Sequence, residues 1–158
     1  MLDGLSTYAG AFSETNDGGY VFSGYADDGS TSVSQNTNYD GVLTKCNSEG
    51  EVQWFYSFGG MQNDEVNSVI QMNDGSYRLV GRFNSTSIKF DNSEIVNNNE
   101  KYDGMLIKFE ETNISSMYVK QAKSINNLST DVVSACNDGG YIVGGSFYRD
   151  VNLENGDI

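Results

Sequence analysis

One pattern constrains this chain more than any other: it repeats itself about every sixty residues. Asn16-Asp17-Gly18-Gly19-Tyr20-Val21-Phe22-Ser23-Gly24, Asn73-Asp74-Gly75-Ser76-Tyr77-Arg78-Leu79-Val80-Gly81 and Asn137-Asp138-Gly139-Gly140-Tyr141-Ile142-Val143-Gly144-Gly145 align without gaps, at offsets of 57 and 64 residues. Tyr39-Asp40-Gly41-Val42-Leu43-Thr44-Lys45 returns 63 residues later as Tyr102-Asp103-Gly104-Met105-Leu106-Ile107-Lys108. Ile88–Ile95 returns at the same offset of 63 as Val151–Ile158. Several markers recurring in one order exclude a composition effect. The chain is built of units that stack on one another, because a unit this small cannot bury its apolar face alone.

Inside each unit the apolar period is two, the period of a strand. Ala9 and Ala11 answer to Val66, Ser68, Ile70 and Met72, and to Thr130, Val132, Ser134 and Cys136, which makes a first strand. Asn-Asp-Gly follows as a hairpin turn, since these residues tolerate the positive φ that tight hairpins need. The second strand sends Tyr20, Phe22 and Gly24 to one face, matched by Tyr77, Leu79 and Gly81 and by Tyr141, Val143 and Gly145. A third strand is expected at Val42–Cys46 and Met105–Phe109, then a turn at Ser48-Glu49-Gly50. The fourth alternates Val52, Trp54, Tyr56 and Phe58. No segment has helical spacing. The expected class is all-β, in four-stranded antiparallel units of the kind that form propeller blades.

This order of markers resembles the β-propeller repeats of secreted and surface-exposed bacterial proteins. In the first unit the resemblance rests on Asp17-Gly18-Gly19-Tyr20, Gly24, Asp40, Lys45, Gly50, Val52, Trp54 and Gly59-Gly60. In the second it rests on Asp74-Gly75, Tyr77, Gly81, Phe83, Phe90, Asp103 and Lys108, with Met117 in place of the tryptophan and Ala122-Lys123 in place of the double glycine. It implies two complete blades at residues 4–60 and 61–124 and a partial third at 125–158, about two and a half blades of one incomplete propeller. It further implies export to the cell surface or the extracellular space, and a scaffold or binding role. Closed propellers have about 4–8 blades. The expected partner is therefore a second copy of the chain or the remainder of a longer parent, with two chains of this kind making a five-bladed ring.

Charge narrows the function. With 22 acidic and 9 basic residues and no histidine, the net charge is −13. That field repels phosphate backbones and anionic membranes, so nucleic acid and membrane insertion are not expected. Missing histidine removes the commonest general base and zinc ligand. There is no P-loop, GxGxxG or nucleophile elbow, and the chain is expected not to be an enzyme. The N-terminus carries neither a basic region nor an apolar run of the signal-peptide kind. Cys46 and Cys136 have no CxxC spacing, and both are expected to be free, buried thiols.

The residues that invite a chemical role also have a packing role. Lys45 and Lys108 each follow an aspartate, Asp40 and Asp103, by five residues. Because the pair recurs in each complete unit, it is expected to anchor units rather than hold a ligand. Tyr20, Tyr77 and Tyr141 are expected to face inward. Calcium oxygens could come from Asp27-Asp28-Gly29-Ser30, Asn63-Asp64-Glu65 or Asp150–Asp157, but none has the D-x-D-x-D-G spacing of a calcium loop, and no cofactor is expected. Asn84, Asn113 and Asn127 begin Asn-x-Ser/Thr triplets that the composition explains. The favoured function is non-catalytic adhesion or assembly, with protein or glycan as partner. The alternative is a glycan-binding or glycan-active module, marked by exposed aromatics beside paired carboxylates in one cleft.

Overall fold

The computed structural model describes residues 7–27, 38–90, 93–98, 100–148 and 151–153. Among them every regular element is a β-strand, and no helix could cross a membrane. Strands β1 (Thr7–Glu14), β2 (Tyr20–Asp27), β3 (Tyr39–Cys46) and β4 (Val52–Phe58) form a four-stranded antiparallel sheet in chain order. β5 (Asp64–Gln71) and β6 (Tyr77–Phe83) begin a second sheet. A separate hairpin, β7 (Ser87–Phe90) and β8 (Ser93–Val96), interrupts it before β9 (Asp103–Glu110) and β10 (Asn113–Ser124) complete it. β11 (Leu128–Ala135) and β12 (Tyr141–Phe147) pair as a third sheet. β13 (Val151–Leu153), the repeat equivalent of β7, turns back and adds to the edge of the second sheet beside β10.

The Asn-Asp-Gly turns fold alike because each satisfies its own backbone. In the first, Gly18 N donates to Thr15 O (2.8 Å) and Thr15 N to Gly19 O (2.9 Å), with Gly18 at φ +78°. The same pair of bonds closes Met72–Ser76 and Cys136–Gly140, around Gly75 and Gly139 at φ +83° and +87°. The aspartate adds an Asx bond each time: Asp17, Asp74 and Asp138 accept from the N–H two residues on. A fourth copy, at Asn47–Glu51, uses Gly50 in the same way.

The glycine that ends each second-strand motif has a different cause. The first strand of every unit carries a bulge, between Ala9 and Ala11, between Val66 and Ser68, and between Thr130 and Val132. The bulge pushes a carbonyl under the facing residue, so a Cβ at Gly24, Gly81 or Gly145 would run into the Tyr8, Glu65 or Ser129 carbonyl. It also corrects the expected alternation: Val66 and Val69, rather than Val66 and Ser68, share the fully buried core.

Stacking of the sheets makes the core. Val21 and Leu43 of the first sheet pack with Val66, Val69, Tyr77, Leu79, Ile107 and Phe109 of the second, and Ile88 and Ile95 of the hairpin close one side. The opposite face of the second sheet offers Val80, Leu106 and Ile70 to Val133, Tyr141 and Val143. At the first junction Glu111 takes a hydrogen bond from Trp54 Nε1 (2.9 Å) and another from the Tyr77 hydroxyl (3.1 Å). At the second, the Thr130 hydroxyl accepts from Gly81 N (3.1 Å) and faces the Gly81 carbonyl (2.5 Å).

Two expectations need correction here. Tyr20, Tyr77 and Tyr141 hold equivalent strand positions but not equivalent surroundings. Tyr77 is fully buried against Trp54, Tyr141 is half-buried under the Arg78 guanidinium, and Tyr20 is 39% exposed. Tyr77 and Tyr141 face the sheet that precedes them, and among the described residues no sheet stands on that side of Tyr20. Both cysteines are free, but only Cys46 is buried; Cys136 is exposed. Cys136 stands at the position of buried Met72, in a third sheet that has two strands among the described residues.

Tyr77→Ala is expected to cost about 3–5 kcal/mol in urea unfolding, the range for a large aromatic removed from a core. Tyr20→Ala should cost less than about 1.5 kcal/mol. A maleimide probe should label Cys136 in the native protein and reach Cys46 only after denaturant is added, read by mass spectrometry.

Candidate functional site

Lys45 is the most conspicuous charge in the interior. Its side chain is 1% exposed, and its Nζ donates to Asp17 Oδ2 (2.7 Å) and Gln53 Oε1 (2.7 Å). Its partner is thus the turn aspartate rather than Asp40, which corrects the pairing expected from the five-residue spacing. Gly19 makes room for this, because a Cβ there would stand 3.0 Å from Nζ. The ammonium, the Thr15 hydroxyl and Gly19 N–H together hold the Asp17 carboxyl far below the usual carboxylate range. The arrangement locks a turn to β3 and β4 within the first sheet, so Lys45 does not anchor one unit to the next as expected, and it leaves the lysine nothing to offer a ligand.

The second unit solves the same problem otherwise. Ser76 stands where Gly19 stood, and its N–H and hydroxyl hold Asp74, whose carboxyl is also lowered. Arg78 donates to the Ser76 hydroxyl (2.8 Å), while Lys108 is half-exposed and acts on Asp74 only through its field. Asp103 accepts from Gln121 Nε2 (2.8 Å) and Ser124 N (3.1 Å), tying the end of β10 to the start of β9. Asp40 lies against Gly59, where a Cβ would strike its carboxylate. Neither aspartate meets the lysine of its own motif.

Of the candidate calcium loops, the described one is taken up by other partners. Asp64 is fully buried and accepts from Gly60 N (2.8 Å), Asn84 N (3.2 Å), Ser85 N (3.2 Å) and the Ser85 hydroxyl (2.6 Å). Burial pushes its carboxyl up against the pull of these donors. Glu65 forms an ion pair with Arg82 (3.0 Å), and Asn63 Oδ1 accepts from Tyr39 N (3.2 Å). Asp28–Ser30, Asp150 and residues 154–158 lie outside the described residues, as do the side chains of 113 and 151–153. Among the described residues no three His, Cys, Asp or Glu side chains converge as metal ligands. Of the Asn-x-Ser/Thr triplets, Asn84 is half-buried, while Asn127 is exposed and its Oδ1 accepts from Tyr102 N (3.2 Å).

The open surface lies elsewhere. Where the second and third sheets meet, at the end that carries the start of β9 and the end of β12, a cleft of about 390 Å³ opens to solvent. Arg82, Lys101, Asn127, Ser146, Phe147 and Tyr148 line it. Phe147 and Tyr148 are 63% and 75% exposed. Arg82 is already neutralised by Glu65, and its guanidinium lies over the Tyr102 ring at 4.5 Å. The same end of the first sheet holds an aromatic cluster, Tyr8 stacked on Tyr25 at 4.8 Å with Tyr39 edge-on at 5.1 Å from Tyr25. Neither Phe147 nor Tyr148 was singled out by the repeat pattern. Both stand at or just beyond the end of β12, where the two-stranded third sheet leaves them open to solvent.

No protein-family model matches the chain, and no curated protein matches it in sequence.

The Asp17–Lys45 bond sets a pH dependence. A carboxyl lowered in the folded state contributes stability that is present above its unfolded value, near 3.9, and lost as pH falls through its folded value. Carbon NMR is expected to show Asp17 still ionised at about pH 3, where free carboxylates have protonated. In Lys45→Met its titration should move up toward the ordinary range.

Proposed function

We propose that this chain is a non-catalytic β-propeller segment of an exported bacterial protein, two complete blades and part of a third, serving as an assembly or adhesion module. One observation carries the proposal. Phe12, Tyr20 and Phe22 stand 71%, 39% and 38% exposed on one face of the first sheet, whereas their repeat equivalents Val69, Tyr77 and Leu79 are at most 1% exposed beneath that sheet. A surface that is apolar in both units and buried in one is a surface made for a neighbour. Burying each of these side chains fully would contribute roughly 1.5–3 kcal/mol.

The neighbour proposed is the third sheet of a second copy. Its outer face presents Val132 and Ile142, both exposed, at the positions of Ser68 and Arg78 in the second sheet. Such head-to-tail contact repeats the internal junction between copies and continues the stack. The residues that invited a ligand-binding or calcium role are spent on joining strands: Lys45, Asp64 and Asp103.

Light scattering is expected to give a particle heavier than the 17.3 kDa chain. Phe22→Asp should return it to that mass while the circular dichroism of the sheet persists. An unaltered protein that stays monodisperse at the chain mass would overturn assembly between copies.

A further inference from the structure

We propose that the cleft between the second and third sheets binds an uncharged saccharide. Its volume, about 390 Å³, falls in the range of small-ligand sites. Its wall combines two exposed aromatic rings, Phe147 and Tyr148, with amide and hydroxyl groups from Asn127 and Ser146. A pyranose ring asks for that combination: an apolar C–H face to lie on a flat ring, and a rim of hydroxyls to exchange hydrogen bonds. Asn127 is oriented for it, since its Oδ1 is held by Tyr102 N and its amide nitrogen remains as the donor.

Charge decides the kind of saccharide. Arg82 and Lys101 both bring positive charge to the wall; Glu65 balances Arg82 at 3.0 Å, and Asp131, bonded to Ser146 at 3.3 Å, sits beside Arg82. The whole chain carries −13, so a uronate or a sulfated sugar approaches against the field. Among the described residues no carboxylate lines the cleft. Glycosidases act through two carboxyl groups about 5–9.5 Å apart across the bond. The described wall offers no such pair, and the role proposed for it is binding.

The experiment is an array of neutral and uronate-containing oligosaccharides probed with the labelled protein, followed by saturation-transfer NMR on the neutral sugars retained. Neutral saccharides are expected to be retained in preference to uronates. Replacing both Phe147→Ala and Tyr148→Ala should weaken binding by at least about tenfold. Both rings stand in solvent, so the unfolding midpoint should not move. The Phe22→Asp variant should bind as the parent does, which separates this site from assembly. Retention of no neutral sugar, preference for uronates, or binding indifferent to the double substitution would overturn the proposal.

Discussion

A four-stranded antiparallel sheet has two faces, and a domain this small can satisfy both only by placing another sheet against each. In the second sheet this is met on both sides. Tyr77, Leu79 and Phe109 face the first sheet, and Val80 and Leu106 face the third. Among the described residues, the first and third sheets satisfy the requirement on one face each. Their exposed aromatics and aliphatics are the same requirement left open.

Charged groups at the junctions serve geometry. Glu111 spans an indole and a phenol between the first and second sheets, while Lys45, buried with a carboxylate and an amide, ties a turn to two strands within the first sheet. Such groups are costly to bury and add little net stability, but their hydrogen bonds fix direction in a way that apolar contacts do not. Removing one partner leaves the other stranded. The units are thus held in register by a few polar bonds set within an apolar interface that is tolerant of sliding.

The repeat made the strand order, the turns and the apolar faces legible before any coordinates. Local chemistry explains this: Asn-Asp-Gly closes its own hydrogen bonds, and alternation of Val, Leu and Tyr identifies a strand face whatever surrounds it. What the sequence did not carry was anything dependent on the neighbour. Asp40 and Asp17 are equally plausible partners for Lys45 along the chain, and only the fold of the turn brings Asp17 to it. The bulge adds one residue without a sequence mark, so strict alternation runs one position out beyond it. Tyr20 and Tyr77 share a motif, yet their exposure differs because a tyrosine cannot encode whether a sheet lies opposite. The cleft escaped for the same reason, since its walls come from two units.

Trp54 is the sole tryptophan, and it lies at the junction of the first and second sheets with its indole N–H on Glu111. Its emission is therefore a local meter and not a global one. As that junction parts, the ring exchanges its edge-to-face contact with Tyr77 for water, and the spectrum shifts to longer wavelength. The junction with the third sheet carries no indole, only Tyr141. A melt followed by fluorescence and a melt followed by the amide band would then measure different events, and any gap between the curves would give the order in which the stack comes apart.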